Sequence, residues 1–459
     1  MIEESGHIDY NDGMNLIDTI VAISTALQES AISIVRLSGP EAIDIADRLF
    51  SKKLSERPSH TITYGHLIDP ITHQVVDEVL VSLFCAPNSF TCEDVVEINC
   101  HGGILITQEI LALCLSLGAR LAQPGEFTER AMLNGRIDLT QAEATMDLIE
   151  ARSKNSAQLA VNGLQGALKP LIDPLLEELI TIIATIEVNI DYPEYDDVEM
   201  LTNQRVLPQA KAFLAQLKAV IDTSSSGRIM RDGVKTVILG RPNVGKSSLL
   251  NALLDDDKAI VTEVPGTTRD LVEGWIRLKN IDLHLIDTAG IRETEDKVEQ
   301  IGIERSRKAL DEAELVLVVF DGSQQLTAED DELLRLTQDK ERILITNKAD
   351  RLCIEPIGLQ ISALSKDVHS LVDTINDRYA RHQIALKTPT LVNQRQIGAA
   401  KRSYLAMERA IQSMQSEFEL DLVTIDLNES YVELASILVG NRENVNVLDE
   451  IFSRFCLGK

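Results

Sequence analysis

Between Thr19 and Ala119 apolar and polar positions alternate in short runs, at residues 19–24, 31–37, 61–67, 78–84 and 95–99. Period-two alternation bounded by turn residues predicts strands. Residues 41–49 and 104–117 between them carry a helical pattern, so this stretch is expected to fold as a compact α/β domain. From about Arg130 to Ile221 the period lengthens, and Ile172, Leu176, Leu179, Ile183 and Ile186 step by three and four along one helical face. The same spacing returns after Lys387-Thr388-Pro389, in Ile397, Ala400, Tyr404, Met407, Ile411 and Met414. Helices before and after the intervening region are therefore expected to bury each other's apolar faces. Ser224-Ser225-Ser226-Gly227 is expected to be a linker into that region.

The intervening region alternates strand-like runs with polar loops, and the loops carry chemistry. The run 234–239 feeds Gly240-Arg241-Pro242-Asn243-Val244-Gly245-Lys246-Ser247, a G-x-x-x-x-G-K-[ST] loop followed by Ser248. In such a loop the glycines let N–H groups turn onto phosphates, the lysine reaches the terminal phosphates, and the hydroxyl ligates magnesium. The run 281–286 ends in Asp287-Thr288-Ala289-Gly290, which supplies a carboxylate for the magnesium shell and a glycine amide for the γ-phosphate. The run 342–346 ends in Asn347-Lys348-Ala349-Asp350, whose aspartate can accept both the N1–H and the 2-amino hydrogens of guanine. Adenine lacks that donor pair, so GTP is preferred over ATP. Ser362-Ala363-Leu364 follows 359–361 and offers a backbone amide to the guanine carbonyl.

Size and charge narrow the picture. A chain of 459 residues holds about three domains. Its formal net charge of −28 opposes unaided binding to a nucleic-acid backbone, so contact with RNA is expected to need a basic partner. Cys85, Cys92, Cys100, Cys114, Cys353 and Cys456 form no C-x-x-C pair, which fits reduced thiols in a cytoplasm and implies no structural metal. The acidic start lacks the basic region of a signal peptide. The most apolar helical stretch, 171–190, is broken by Glu177, Glu178 and Glu187, so no membrane span is expected.

These features, with Gly266-Thr267-Thr268-Arg269-Asp270, Ile291-Arg292-Glu293 after Gly290, Asn134-Gly135-Arg136-Ile137-Asp138-Leu139 and the terminal Phe455-Cys456-Leu457-Gly458-Lys459, closely resemble the MnmE (TrmE) family of bacterial tRNA-modification GTPases. The resemblance covers about residues 16–459 and implies a multidomain α/β plus α fold. Its expected parts are a disordered extension (1–15), an N-terminal α/β tetrahydrofolate-binding-like and dimerisation domain (16–129), a helical domain (130–226), an inserted Ras-like P-loop GTPase domain with a mostly parallel six-stranded sheet (227–386), and the rest of the helical domain with its C-terminal cysteine motif (387–459).

The family further implies a cytoplasmic homodimer working with a FAD-dependent MnmG-like partner, in a heterotetramer or larger complex through which tRNA is mainly bound. It would add an aminomethyl-type group at C5 of the wobble uridine, using 5-formyl- or 5,10-methylene-tetrahydrofolate. Ile291 stands where a Ras-like GTPase has its water-orienting glutamine, and by similarity Glu299 takes that role. Potassium is expected at Asn243 with backbone oxygens of Thr262, Val264 and Thr267, and magnesium at Ser247, Thr268 and Asp287. Arg36 and Arg136 would pair with folate carboxylates, and Glu97 would accept two pterin hydrogens. Two local departures from the family occur: loop 26–30 lacks the usual glycines, and Cys92 replaces a common glycine. Cys456 and Lys459 close the family's terminal motif, and a buried, inert thiol is an equal reading of Cys456. The alternative reading of the whole chain is a regulatory or ribosome-assembly GTPase switch without modification chemistry.

Overall fold

The computed structural model describes residues 18–191, 205–255, 274–286, 309–416 and 420–439, with Phe452, Ser453, Phe455 and Gly458. The chain divides into two compact units, residues 1–146 with 438–459, and residues 147–437.

The first unit is built on a six-stranded sheet of order β3-β4-β5-β2-β1-β6. Its strands are β1 (Ile20–Ile23), β2 (Ile32–Ser38), β3 (Thr61–Ile68), β4 (Val75–Phe84), β5 (Val95–His101) and β6 (Arg120–Leu121). All neighbours pair antiparallel except β1 with β6. Alternation puts Val35, Leu37, Val79, Val81, Val96 and Ile98 into the core, against helices α1 (Ala42–Leu49) and α2 (Ile104–Ser116). Helices α3 (Glu126–Leu133) and α4 (Leu139–Glu150) follow. The chain's end returns here: Phe452 and Phe455 are buried with Ala142 beside Met132, Ile137 and Met146. Gly458 has φ 91°, and a Cβ there would lie 2.7 Å from the Ile23 carbonyl, so only glycine fits.

A buried charge cluster braces this unit. The Arg130 side chain is 1% exposed and reaches Asp18 (2.5 Å), Glu93 (3.2 Å) and Glu126 (3.1 Å), while Arg120 also meets Asp18 and Glu126, each at 2.5 Å. Burial pushes the Asp18 and Glu126 carboxyls up, but the bonds and charges of Arg120 and Arg130 outweigh it and hold both below their ordinary values of 3.8 and 4.5. A lowered folded-state value means the unfolded chain binds protons first as pH falls. This stabilisation is thus complete above about pH 5 and is lost as pH drops through the folded values. Arg130→Met leaves Glu93 without its cation and Asp18 and Glu126 with Arg120 alone, and the expected cost is about 3 kcal/mol at neutral pH. Faster hydrogen exchange of the β1 amides would register it; unchanged exchange would mean the cluster is not stabilising.

In the second unit, helices α5 (Lys154–Leu164), α6 (Lys169–Asp191) and α7 (Leu207–Asp232) precede a six-stranded sheet, and α11 (Gln394–Gln415) and α12 (Leu420–Val439) follow it. The anticipated faces are buried: Ile172, Leu179, Ile183 and Ile186 on α6, and Ile397, Ala400, Met407, Ile411 and Met414 on α11. Helices α7 and α11 pack together. Among the described residues no helix is long and apolar enough to cross a membrane.

One expectation fails. Ser224 to Gly227 is not a linker but lies inside α7, which runs on to Asp232. The hydroxyls of Thr223, Ser224 and Ser225 bond to carbonyls three residues back, and Ser226 bonds to His382 Nδ1 at 2.8 Å. Gly227 admits residues 390–392: a Cβ there would lie 2.7 Å from the Leu391 carbonyl. Packing of a small-residue face thus overrides weak helix propensity.

The sheet order is β12-β11-β10-β7-β9-β8, parallel except for β8. Its strands are β7 (Val234–Leu239), β8 (Gly274–Arg277), β9 (Asp282–Leu285), β10 (Leu315–Asp321), β11 (Arg342–Asn347) and β12 (Leu359–Gln360). Every residue of β10 is buried, as a central parallel strand requires. Helices α8 (Lys246–Asp255), α9 (Ala328–Leu336) and α10 (His369–Tyr379) complete it.

Candidate nucleotide-binding site

Strand β7 ends at Leu239 and α8 starts at Lys246, so residues 240–245 form a loop at the carboxyl end of a parallel strand and the N-terminus of a helix. Ligands of open α/β sheets bind at such strand ends, and the helix end favours anions. Asn243 and Gly245 take φ of 62° and 95°. A Cβ at Gly245 would stand 2.3 Å from Asn347 Nδ2, so conformation and space both demand glycine. Lys246 Nζ donates to the carbonyls of Gly240 (2.8 Å) and Arg241 (3.0 Å), which holds the ammonium against the loop's first residues. Val244 is buried, Ser247 is half-buried at the first turn of α8, and Ser248 is exposed.

The loop after β11 lies against this one. Asn347, 2% exposed, donates from Nδ2 to the Val244 carbonyl at 2.8 Å and accepts from the Ala363 amide at 3.0 Å. It therefore ties together the phosphate-type loop, its own strand end and the 362–364 loop. Lys348, at φ 62°, donates from Nζ to the Asn243 carbonyl (3.0 Å) and to Asp321 Oδ2 (2.7 Å). Burial raises the Asp321 carboxyl, but Lys348 and Ser323 together hold it below its ordinary value. Asp350 accepts from Ser362 Oγ at 2.9 Å, and that bond keeps its carboxyl low and ionised at the solvent edge. The structure thus brings Asn243, Val244, Gly245, Lys246, Asn347, Lys348, Asp350, Ser362 and Ala363 into one linked frame. Asp321, Ser323 and Asp330 of the β10–α9 connection join the frame and were missed in the sequence. The one local signal is an aspartate closing the apolar run of β10.

Thr262, Val264, Thr267, Thr268, Asp287, Thr288, Ala289, Gly290, Glu299, Cys456 and Lys459 lie outside the described residues. In the first unit, Arg36 and Glu97 are cross-strand partners on β2 and β5. Arg36 binds Glu97 Oε1 through Nε (2.9 Å) and Nη2 (2.8 Å), and donates from Nη1 to the Gly458 carbonyl at 3.0 Å. Arg136 is held elsewhere: it donates to the Phe90 carbonyl at 3.1 Å and its guanidinium lies 5.0 Å from the Phe90 ring centroid. His101, at the end of β5, pairs its Nδ1 with Asp77 at 2.7 Å.

The chain matches the family model of the MnmE helical domain over residues 139–456, more than half its length, and that of the GTP-binding protein TrmE N-terminus over 19–136. It is 46% identical over 458 residues to the tRNA modification GTPase MnmE of Staphylococcus aureus strain Mu3, spanning 96% of this chain and 100% of that one. The chain belongs to the MnmE family. The protein of the same name from Staphylococcus epidermidis is 47% identical over 96% of this chain and 99% of its own. Among solved structures, the G domain of the T. maritima FeoB iron transporter is 26% identical over 32% of this chain and 98% of that one, with a TM-score of 0.25.

The two departures of this MnmE-family chain have visible consequences. Cys92 takes φ 63°, the left-handed conformation a glycine adopts without strain. None of residues 26–30 has a positive φ. The loop instead lies on Gly102, whose carbonyl accepts from the Ser30 amide at 3.0 Å and where a Cβ would come within 2.3 Å of the Ser30 carbonyl. At Gly102, in the strand-to-helix turn beneath the loop, only glycine leaves room for Ser30.

Proposed function

We propose that this chain hydrolyses GTP in the service of tRNA modification, installing an aminomethyl-type group at C5 of the wobble uridine with a FAD-dependent MnmG-like partner. One observation carries the GTPase part: Asn347 and Lys348 join the phosphate loop to the base-side carboxylate in a single hydrogen-bonded frame. In that frame Lys246 and the amides around Gly245 hold the β- and γ-phosphates, and Asp350, steadied by Ser362, accepts the guanine N1–H and 2-amino hydrogens. Ser247, with Thr268 and Asp287, would hold magnesium. The Asn243 side chain, with backbone oxygens of Thr262, Val264 and Thr267, would hold potassium. Bound there, the two cations supply positive charge to the transferring phosphoryl group. The loop fits such a role because Lys348 fixes the Asn243 carbonyl and with it the Asn243 backbone. Glu299 orients the attacking water in place of a glutamine.

The working form is a cytoplasmic homodimer with a one-carbon tetrahydrofolate at Arg36, Glu97 and Arg136. The Arg36–Glu97 pair then opens so that each partner meets its complement on the ligand. With a net charge of −28, tRNA is held mainly through the complex. The N-terminal, helical and inserted GTPase domains given above belong to the same reading, with the first helical part running on to Asp232 at the end of α7.

Steady-state GTP hydrolysis in potassium and in sodium at equal ionic strength tests the mechanism. The wild type is expected to be faster in potassium by about tenfold or more, and Asn243→Ala to lose that preference. Equal wild-type rates in the two salts would remove the potassium site and favour the switch-type alternative.

A further inference from the structure

Arg241, the second residue of the phosphate loop, turns its side chain to Asp330 in α9. Its Nε lies 2.9 Å from Asp330 Oδ1 and 2.8 Å from Oδ2. The Asp330 side chain is 0% exposed and that of Arg241 15%. A carboxylate taken wholly out of water needs donors on both oxygens, and both have them. Oδ2 also accepts from the Thr327 amide (2.9 Å) and hydroxyl (3.2 Å), closing the capping box of α9. Asp330 is therefore at once the cap of α9 and the counter-charge of Arg241.

The same β10–α9 connection holds the loop from its other side. Asp321 binds Ser323 through its amide (2.9 Å) and hydroxyl (2.6 Å), and binds Lys348 Nζ, which donates to the Asn243 carbonyl. Residues 241 and 243 are thus pinned through one segment, Arg241 by a buried ion pair and Asn243 through Lys348. Between and beside them lie the carbonyls of Gly240 and Arg241 on which Lys246 rests. When Lys246 moves from those carbonyls to a phosphate, the pins keep the loop open.

We propose that Arg241 and Asp330 are a positioning pair that preorganises the phosphate loop for the β-phosphate. The proposal rests on the GTPase reading above and adds residues to it. Preorganisation acts on affinity by sparing the ligand the ordering of the loop. Its loss should fall on ligands that reach the loop and spare those that do not.

The test is competition by GDP and by GMP against a fluorescent GDP analogue on the full chain, for the wild type, Arg241→Lys, Arg241→Ala and Asp330→Asn. Arg241→Ala is expected to weaken GDP by about tenfold while GMP changes little, so the GDP-to-GMP preference falls. Arg241→Lys, which keeps the charge, is expected to recover part of that preference. Asp330→Asn keeps the shape of the cap and covers the case in which Arg241→Ala does not fold; it too should lower the preference. Equal weakening of GDP and GMP, or wild-type preferences in every variant that folds, would overturn the positioning role. A wild type that binds neither nucleotide would overturn the GTPase reading itself.

Discussion

Lys246→Ala is expected to lower GTP turnover by about 10³-fold or more while leaving the fold intact. The ammonium sits at the head of α8 with its Nζ 2.8 Å and 3.0 Å from two loop carbonyls. Charge directed at a transferring phosphoryl group acts where negative charge develops, and loss of one such group typically costs several kcal/mol of the barrier. The base-side contacts through Asn347 and Asp350 do not pass through Lys246, so guanosine recognition should survive. Single-turnover hydrolysis measures the first effect, and thermal melting without nucleotide checks the second. In cells whose own copy is removed, this variant should also fail to restore the C5 substituent on wobble uridine, read by nucleoside mass spectrometry of tRNA. Full restoration by the inactive variant would separate hydrolysis from modification and sink the proposed coupling.

Most of the frame was legible because its signals are local. A strand ending in a glycine-rich loop, and a strand ending in Asn347-Lys348-Ala349-Asp350, each announce their geometry within a few residues. The alternation across β2 and β5 likewise gave the sheet of the first unit, since period-two burial is a property of neighbouring positions. What escaped depends on distant partners. Ser224 to Gly227 has the composition of a linker, and only the approach of residues 390–392 to Gly227 and of His382 to Ser226 makes it helix. Arg241 and Asp330 stand 89 positions apart, and nothing in either neighbourhood names the other. The partnership of Arg36 with Glu97 likewise depends on which strand faces which, and nothing local to either residue names the other.

The base-side prediction is the sharper of the two. Asp350→Asn is expected to lower kcat/KM for GTP by about 10³ to 10⁴ and to make XTP a substrate. Guanine presents N1–H and a 2-amino group, two donors, to a carboxylate whose Oδ1 is already steadied by the Ser362 hydroxyl at 2.9 Å. An amide in that place meets the 2-amino group with its own N–H, leaving two donors facing each other with neither satisfied. Xanthine carries a carbonyl at that carbon, so the amide's oxygen can accept N1–H while its N–H donates to the new acceptor. The same logic fixes the pH behaviour. Because the Ser362 bond holds the Asp350 carboxyl below its ordinary value of 3.8, it stays ionised down to about pH 5, and wild-type affinity for guanosine should be flat from pH 8 to pH 5. A variant that hydrolyses GTP as the wild type does, with no gain on XTP, would mean that guanine is read elsewhere in the frame and that Asp350 serves only to anchor Ser362.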